Sequence, residues 1–314
     1  MIKENIWLIG CGQMSLEYFK VLKNLNCNFK VIGRGFKSAR EFERKTNYKV
    51  YLGGVNYNIK KFNIPKVAIV AVTADQLSVV SKKLIKAGVK KILVEKPGAL
   101  NFKELKKLSS VKKSKIFISY NRRFYESVIQ AKKIINRDGG LKSINFDFTE
   151  WSSKIKKIKF NSEIKKKWVI SNSSHVIDLS FFLSGRPKVW SQWSRGKLDW
   201  HSTARFCGAG ISEKGVIFSY LSDWSSPGRW GIELMTLKHR LILRPMEKLQ
   251  IVDLKSLKPR FYVPKNKLDF KFKPGLFLQT KLFLKGDHKQ LCSIENQIKN
   301  FKLYYKIAGY KINE

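Results

Sequence analysis

A glycine turn directly after a short apolar run near the amino terminus is the feature that most limits how this chain can fold. The run covers residues 5–9, Gly10 and Gly12 follow it, and a helical pattern then continues to about Leu25. In a strand–turn–helix unit of this kind, the first glycine permits the tight turn and the second lets a pyrophosphate approach the backbone at the helix N-terminus. The pattern therefore predicts a dinucleotide site that uses Gly10, Gly12, Gln13 and Met14. The third position of the pattern holds Ser15 instead of a glycine, and a purely structural glycine turn is the alternative.

The patterns that follow the glycine turn predict an α/β fold in two domains. Apolar runs alternate with helical patterns up to Tyr120, which predicts a Rossmann doubly wound parallel sheet over residues 1–120. After Tyr120 the strands alternate between apolar and polar residues, first at 141–151 and then at intervals up to residue 253. Such alternation is typical of antiparallel sheets. Residues 121–314 are therefore predicted to form an α+β domain with a large open, mostly antiparallel sheet, a first helix that ends at about Arg137 and another at 173–183.

The residues after the second predicted strand indicate which dinucleotide the first domain prefers. An enzyme that uses NAD places an acidic residue there for the ribose 2′-hydroxyl, whereas this chain has Arg34 with Lys37 and Ser38 close by. A guanidinium binds phosphate in a bidentate manner. We therefore expect NADP(H) to be preferred and NAD(H) to be possible, with Thr73 after a later strand also near the cofactor. A solvated loop arginine is the alternative for Arg34.

A second constraint is the sequence ILVEKPG at residues 92–98, which places a lysine directly after a buried strand. Ligands of open α/β sheets bind just beyond the carboxyl ends of the strands, so Glu95 and Lys96 are predicted to lie at the ligand site. Pro97 restricts Lys96 to extended geometry and is a candidate for a cis bond. A solvated lysine in a turn is the alternative.

Composition excludes several other classes of protein. The net charge of +40 suggests nucleic acid binding, but lysine is spread along the whole chain and no RNP, zinc-finger or basic-zipper pattern is present, so we expect no nucleic acid partner. The four cysteines are far apart and no histidine lies at metal-ligand spacing, which predicts reduced thiols and no metal site. No stretch is typical of a signal peptide or a membrane span, so we expect a cytoplasmic protein without membrane contact.

Three features in this order and spacing resemble the Gfo/Idh/MocA family of NAD(P)-dependent oxidoreductases: the GxG turn at Gly10, the sequence Glu-Lys-Pro at residues 95–97, and His175-x-x-Asp178 on a later helix. The resemblance extends over nearly the full length, and it includes Asn-Arg-Arg-Phe at 121–124 and Leu-Ser-Gly-Arg-Pro at 183–187. The glycine turn is common to many folds. The combination of EKP with a later HxxDL helix is more specific.

The resemblance implies an enzyme that transfers a hydride at a sugar or polyol carbon. Lys96 would contact the reacting oxygen, and His175 would be the acid/base, a role suited to a group that titrates near pH 7. Arg122, Arg123 and Asn172 would bind the substrate. Basic side chains there suit a phosphorylated or nucleotide-linked sugar, as in relatives that build surface polysaccharides. The family also implies a homodimer or homotetramer that associates through the outer face of the second sheet.

One departure from the family leaves the chemistry open. Many members carry an aspartate four residues before the helix histidine, where this chain has Ser171. Serine does not take up a proton at neutral pH, so either Lys96 and His175 suffice or the chemistry has changed. A redox-assisted lyase or glycosidase and a cofactor-binding regulatory or scaffold protein without turnover are the alternatives. Asp178 is predicted either to orient His175 or to support packing.

Overall fold

The computed structural model describes residues 5–110, 113–264 and 267–311. Within them lie fifteen strands: β1 Ile6–Ile9, β2 Phe29–Ile32, β3 Val50–Tyr51, β4 Val67–Val70, β5 Lys91–Glu95, β6 Lys115–Ser119, β7 Ser143–Asp147, β8 Pro187–Arg195, β9 Arg205–Ser212, β10 Ile217–Asp223, β11 Gly231–Met235, β12 His239–Leu243, β13 Gln250–Asp253, β14 Arg260–Phe261 and β15 Cys292–Ser293.

Twelve α-helices accompany the strands in the described residues: α1 Gln13–Asn24, α2 Phe36–Thr46, α3 Gly54–Lys61, α4 Leu77–Lys86, α5 Phe102–Ser109, α6 Glu126–Arg137, α7 Ser152–Lys157, α8 Ser162–Lys166, α9 Ser174–Ser184, α10 Leu268–Lys271, α11 Leu276–Lys285 and α12 Ile294–Ala308. A short 3₁₀ turn occupies Asn121–Phe124, and a π-helical turn occupies Val169–Ser173 and leads directly into α9.

The first sheet has seven strands in the order β15-β6-β5-β4-β1-β2-β3. The strands β1 to β6 are parallel, and the order 3-2-1-4-5-6 is that of a dinucleotide-binding Rossmann sheet. Both β1 and β4 consist of apolar residues that are buried throughout. A strand covered on both faces requires such a run, since a polar side chain would lack solvent on either side. The chain order reverses between β1 and β4, which is where such sheets bind ligands.

The second sheet has eight strands in the order β14-β13-β12-β11-β7-β10-β9-β8. Every neighbouring pair is antiparallel except β7 with β10, which are parallel. Along β7 the side chains alternate between buried and half-buried, as expected for a sheet with one covered face. The predicted combination of a parallel Rossmann sheet with a mostly antiparallel second sheet is therefore confirmed.

The chain divides into two compact units that are not contiguous in sequence. One contains Met1–Tyr120 and Phe270–Lys299, and the other contains Asn121–Asp269 and Asn300–Asn313. The sequence-based division placed all of 121–314 in the second domain, whereas in the structure β15 and α11 belong to the unit of the Rossmann sheet. There β15 pairs antiparallel with β6 and extends the sheet by one strand.

A search of the described part of the chain finds no helix with both the length and the apolar character needed to cross a membrane.

Candidate cofactor and acid–base sites

The glycine turn after β1 has a geometry that only glycine permits at its first position. Gly10 has a φ of +119°, and a Cβ there would lie 2.3 Å from the carbonyl oxygen of Ala71. The Oγ of Ser15 donates a hydrogen bond of 3.1 Å to that same carbonyl. Ala71 directly follows β4, so α1 packs closely against the neighbouring strand, and a small residue at position 15 fits that approach. The departure from a third glycine is thereby explained.

Gly12 has the opposite environment, because a Cβ there would meet nothing within 4 Å. It is the N-cap residue of α1 and no side chain caps the first backbone N–H groups of that helix. Gln13 and Met14 form the first turn. An open approach to uncapped N–H groups at a helix N-terminus is what a pyrophosphate requires. These residues therefore fit a dinucleotide, whose nicotinamide would supply hydride transfer.

Arg34 lies two residues beyond the end of β2 and is exposed. Its Nη1 donates to the Oε1 of Gln76 at 3.3 Å. Burial acts to raise the pKa of the nearby Asp75 carboxyl, but hydrogen bonds from Thr73 and Gln76 and the charge of Arg34 outweigh it and hold this pKa below its ordinary value. Lys37 and Ser38 lie in the first turn of α2 and are exposed. The three residues predicted to select a 2′-phosphate are thus all accessible to solvent.

Glu95 and Lys96 have different environments although they are adjacent. Glu95 ends β5, is only 9% exposed, and accepts a hydrogen bond of 2.8 Å from the hydroxyl of Tyr18 on α1. Burial raises the pKa of Glu95, and the hydrogen bond from Tyr18 and the charge of Lys96 oppose that rise. The hydrogen bond from Tyr18 to Glu95 thus links α1 to the end of β5. Lys96, the next residue, is half-buried.

The backbone beyond Lys96 is fixed by contacts with the carboxyl-terminal segment of the same unit. The Lys96–Pro97 peptide bond is cis. The amide Nε2 of Gln297 donates to the carbonyl oxygen of Pro97 and to the hydroxyl of Tyr120, each at 3.0 Å. Ser119 ends the neighbouring strand β6, and the side-chain amide of Gln279 on α11 donates to its Oγ at 2.6 Å. The predicted rigid placement of this segment therefore depends on residues 270–299.

In the second unit, His175 is the second residue of α9 and is only 7% exposed. Its ring centroid lies 6.3 Å from that of Trp230. The preceding π-helical turn contains Ser171, which is buried and donates a hydrogen bond of 3.1 Å to the carbonyl oxygen of Ile164. A π-helical turn inside a helix is uncommon and is often found at functional sites.

Arg123 and Asp178 bind each other in a buried bidentate pair. The Nε and Nη2 of Arg123 donate to the two carboxylate oxygens of Asp178 at 2.7 and 2.6 Å. Asn300 and Tyr304 on α12 also donate to Oδ1 of Asp178, at 3.3 and 3.5 Å. Of the two roles predicted for Asp178, this arrangement favours packing. The guanidinium of Arg123, which is predicted to contact substrate, is bound in this pair.

Arg122 is placed quite differently from Arg123. Its guanidinium stacks on the ring of Trp230 at 4.7 Å, and that of Arg229 lies 4.6 Å from the same ring. Its Nε is buried and has no hydrogen-bond partner in the described residues, none of which brings a carboxylate within ion-pairing distance. Burial lowers the pKa of Arg122, although the charges of Tyr125 and Glu247 oppose that shift. The buried Nε–H of Arg122 is therefore a donor that an anionic ligand would satisfy.

Glu150 belongs to the same region and was missed by the sequence analysis. It is only 2% exposed, and its Oε1 accepts hydrogen bonds from Asn172 at 2.9 Å and from Ser173 at 2.7 Å. The pattern did contain a signal for it. Ile144, Phe146 and Phe148 define the buried face of β7 and its continuation, and position 150 continues that alternation. Asn172, which is predicted to bind substrate, donates one of these hydrogen bonds.

Within the described residues no group of three or more histidine, cysteine, aspartate or glutamate side chains is arranged to hold a metal ion.

Comparisons with known proteins identify the fold. No protein-family profile matches the sequence, and no curated protein is similar to it in sequence. Solved structures do match over nearly the full chain. An oxidoreductase from Agrobacterium radiobacter in complex with NAD+, L-tartaric acid and magnesium is 12% identical, with a TM-score of 0.78 over 98% of this chain and 96% of that one.

Two further structures carry names that specify a reaction. The UDP-N-acetylglucosamine 3-dehydrogenase GnnA from Acidithiobacillus ferrooxidans is 12% identical, with a TM-score of 0.76 and 98% of both chains covered. Levoglucosan dehydrogenase in complex with NADH and L-sorbose is 16% identical, with a TM-score of 0.77 over 98% of this chain and 96% of that one. The chain therefore has the fold of NAD-binding oxidoreductases of the Gfo/Idh/MocA type, and the predicted resemblance is confirmed at the level of the fold.

Proposed function

We propose that this chain is an NADP(H)-preferring oxidoreductase that transfers a hydride at a carbon of an anionic sugar. The observation that carries the proposal is the glycine turn of the Rossmann sheet, where Gly10 is sterically required and Gly12 leaves the helix N-terminus open. The solved structures of this fold named above include a UDP-sugar dehydrogenase and a dehydrogenase with bound L-sorbose, which supports a sugar substrate.

Lys96 and His175 carry the proposed chemistry on the protein side. In alcohol oxidation a base must take the hydroxyl proton as the hydride leaves carbon, and in ketone reduction an acid must supply it. We assign this proton to the His175 imidazole, which is buried and therefore shielded from bulk water. The ammonium of Lys96 would polarise the reacting oxygen. Neither role requires a group at position 171.

Arg122 supports an anionic substrate in particular. Its guanidinium stacks on Trp230, and the buried Nε–H has no hydrogen-bond partner in the described residues. A phosphate or carboxylate of the sugar would satisfy that donor and the charge together. A nucleotide-linked or phosphorylated sugar of surface polysaccharide synthesis has this chemistry. We assign no substrate contact to Arg123, because its guanidinium is paired with Asp178.

We also propose that copies of the chain associate through the second sheet. Large apolar side chains are exposed on its strands β8 and β10, among them Val189 at 68%, Trp193 at 55% and Leu221 at 68%. Contiguous apolar area of this kind marks an interaction surface.

The cofactor preference is tested by titrating the purified protein with NADPH and with NADH and following the fluorescence of the nicotinamide. We expect tighter binding of NADPH, and we expect Arg34→Asp to weaken it about tenfold or more while NADH binding changes little. An arginine–phosphate contact contributes about 1.5–3 kcal/mol, and 1.4 kcal/mol corresponds to tenfold in affinity.

The matched control is Arg44→Asp, which makes the same change at an exposed position in the last turn of α2. It should leave the ratio of the two affinities unchanged. Equal loss of NADPH binding in both variants would show a general effect of charge, and binding of neither cofactor by the wild-type protein would overturn the proposed function.

Turnover is tested by screening phosphorylated and nucleotide-linked sugars for NADPH formation or consumption. With an active substrate, Lys96→Ala should lower kcat/KM by about 10²-fold or more, the usual cost of removing a group that stabilises the reacting oxygen. Lys90→Ala, directly before the amino end of β5, is the control and should retain activity. If Lys96→Ala retained full turnover, Lys96 would have no catalytic role. A wild-type protein that bound NADPH and turned over no sugar would favour the regulatory alternative.

A further inference from the structure

Glu150 is a buried carboxylate that the proposed mechanism does not yet use. It lies three residues beyond β7, and the second sheet and the segment before α9 leave only 2% of it exposed. An ionised carboxylate in such a place is costly unless hydrogen bonds and opposite charge stabilise it. The groups that form hydrogen bonds and ion pairs with Glu150 therefore indicate its role.

Both hydrogen-bond partners of Glu150 come from the turn that precedes His175. Asn172 and Ser173 each donate to Oε1, at 2.9 and 2.7 Å. Asn172 and Ser173 end the π-helical turn that leads directly into α9, where His175 is the second residue. The carboxylate thereby fixes the turn from which the imidazole projects.

The charged groups around this turn form a connected cluster. Arg229 lies 3.9 Å from the other carboxylate oxygen of Glu150, and its guanidinium stacks on Trp230, whose ring lies 6.3 Å from that of His175. Arg122 stacks on the same tryptophan. Glu247 and Tyr125 are the remaining titratable groups that act on Arg122. Glu150 is thus the buried carboxylate of a cluster that contains two guanidiniums and Trp230, the ring that lies 6.3 Å from that of His175.

We infer that Glu150 is the positioning carboxylate of His175 and supplies the negative charge that related enzymes draw from an aspartate at the position of Ser171. This rests on the proposed acid/base role of His175. When His175 takes the hydroxyl proton of the substrate it becomes an imidazolium, and a carboxylate in the same cluster stabilises that form against burial and against the two arginines. Ser171 cannot supply this charge, since its side chain is a neutral hydroxyl, which donates to the Ile164 carbonyl.

Burial raises the pKa of Glu150, and the hydrogen bonds from Ser173 and Asn172 and the charge of Arg229 limit that rise. The hydrogen bonds stabilise the anion and hold it in place.

The inference is tested by measuring the pKa of His175 by NMR titration of the full-length protein, which needs neither cofactor nor substrate. The chain has four histidines, and the signal of His175 is assigned by its loss in His175→Asn. We expect Glu150→Gln, which keeps the shape and removes the charge, to lower the pKa of His175 by about 1 unit, a common size for such perturbations. Glu150→Asp, which keeps the charge, should restore most of that shift.

The control is Glu163→Gln, the same substitution at an exposed position on α8. It should leave the pKa of His175 unchanged. A folded Glu150→Gln protein with the wild-type pKa at His175 would overturn the inference and leave Glu150 a structural residue. If that variant does not fold, the wild-type value decides: a His175 pKa more than about 1 unit below the ordinary 6.5 would mean that no carboxylate supports the imidazolium.

The outcome separates this inference from the proposed function. A shifted His175 pKa in a protein that turns over no sugar would support the role of Glu150 and contradict the enzymatic assignment. An unchanged His175 pKa in a protein that turns over sugar would contradict the role of Glu150 and support the enzymatic assignment.

Discussion

At the scale of single residues, adjacent side chains of one type have different roles because their partners differ. Arg123 is engaged by Asp178 in a bidentate pair, whereas Arg122 has an unsatisfied Nε and stacks on an aromatic ring. The sequence predicted both as substrate contacts because it shows residue type and not the partner. Asp178 lies 55 positions away from Arg123, and no local pattern connects them.

His201 provides a residue-scale prediction that does not depend on the function. Its Nδ1 lies 2.6 Å from the carbonyl oxygen of Thr203, and its Nε2 lies 2.5 Å from the hydroxyl of Tyr310. Burial lowers the pKa of His201 from 6.5 to about 4, and the charge of Lys167 adds to that shift against the Thr203 hydrogen bond. The folded state therefore holds this histidine neutral at mildly acidic pH.

The sign of the effect on stability follows from proton uptake. Between pH 6.5 and pH 4 the unfolded chain binds a proton at position 201 that the folded chain does not, so stability falls as the pH falls through this window. From pH 7 to pH 5 the loss due to His201 alone should be about 2 kcal/mol. Urea unfolding of the wild-type protein and of His201→Gln at both pH values measures it. The variant should lose less stability on acidification, and an equal loss in both proteins would contradict the assignment.

At the scale of elements, the parts that the sequence predicted are those whose signal is local. The buried strands β1 and β4 are continuous apolar runs, β5 has an apolar centre at residues 92–94, and the alternation in β7 indicates one covered face. The glycine turn is equally local, because Gly10 must accept a φ of +119° whatever the rest of the chain does. Fold class and the cofactor turn could therefore be predicted from residues close together in sequence.

The elements that escaped prediction depend on distant partners. With only two residues, β15 shows no periodicity, and it exists because Cys292 and Ser293 pair with Ile118 and Phe117. Glu150 is buried because Asn172 and Ser173 satisfy it. The π-helical turn that carries both of these residues has no composition signal of its own. Long-range pairing of this kind leaves no trace within a short window of sequence.

At the scale of the whole molecule, the first unit is built from two separate segments of the chain, and most of the second unit lies between them in sequence. Residues 270–299 add β15 to the edge of the Rossmann sheet, and α11 contributes Gln279, whose amide donates to the buried Ser119. Phe283 packs edge to face against Phe117 of β6, with ring centroids 6.1 Å apart. Gln297 holds the backbone at Pro97, next to the proposed catalytic lysine. A domain boundary drawn at Tyr120 alone therefore omits contacts that support the cofactor unit.

We predict that residues 1–120 alone are much less stable than the same segment joined to residues 270–299 through a flexible glycine–serine linker of about ten residues, which can reach ~33 Å when extended. Burying each large apolar side chain contributes about 1.5–3 kcal/mol, and the total stability of a domain is only about 5–15 kcal/mol, so losing Phe283 and its neighbours removes a large part of it. Urea unfolding and NADPH titration of the two proteins measure the difference. The joined protein should unfold cooperatively and bind NADPH, whereas equal stability and binding by residues 1–120 alone would show that the returning segment is dispensable. Joining a scrambled sequence of residues 270–299 through the same linker is the control for added length, and it should behave like the short fragment.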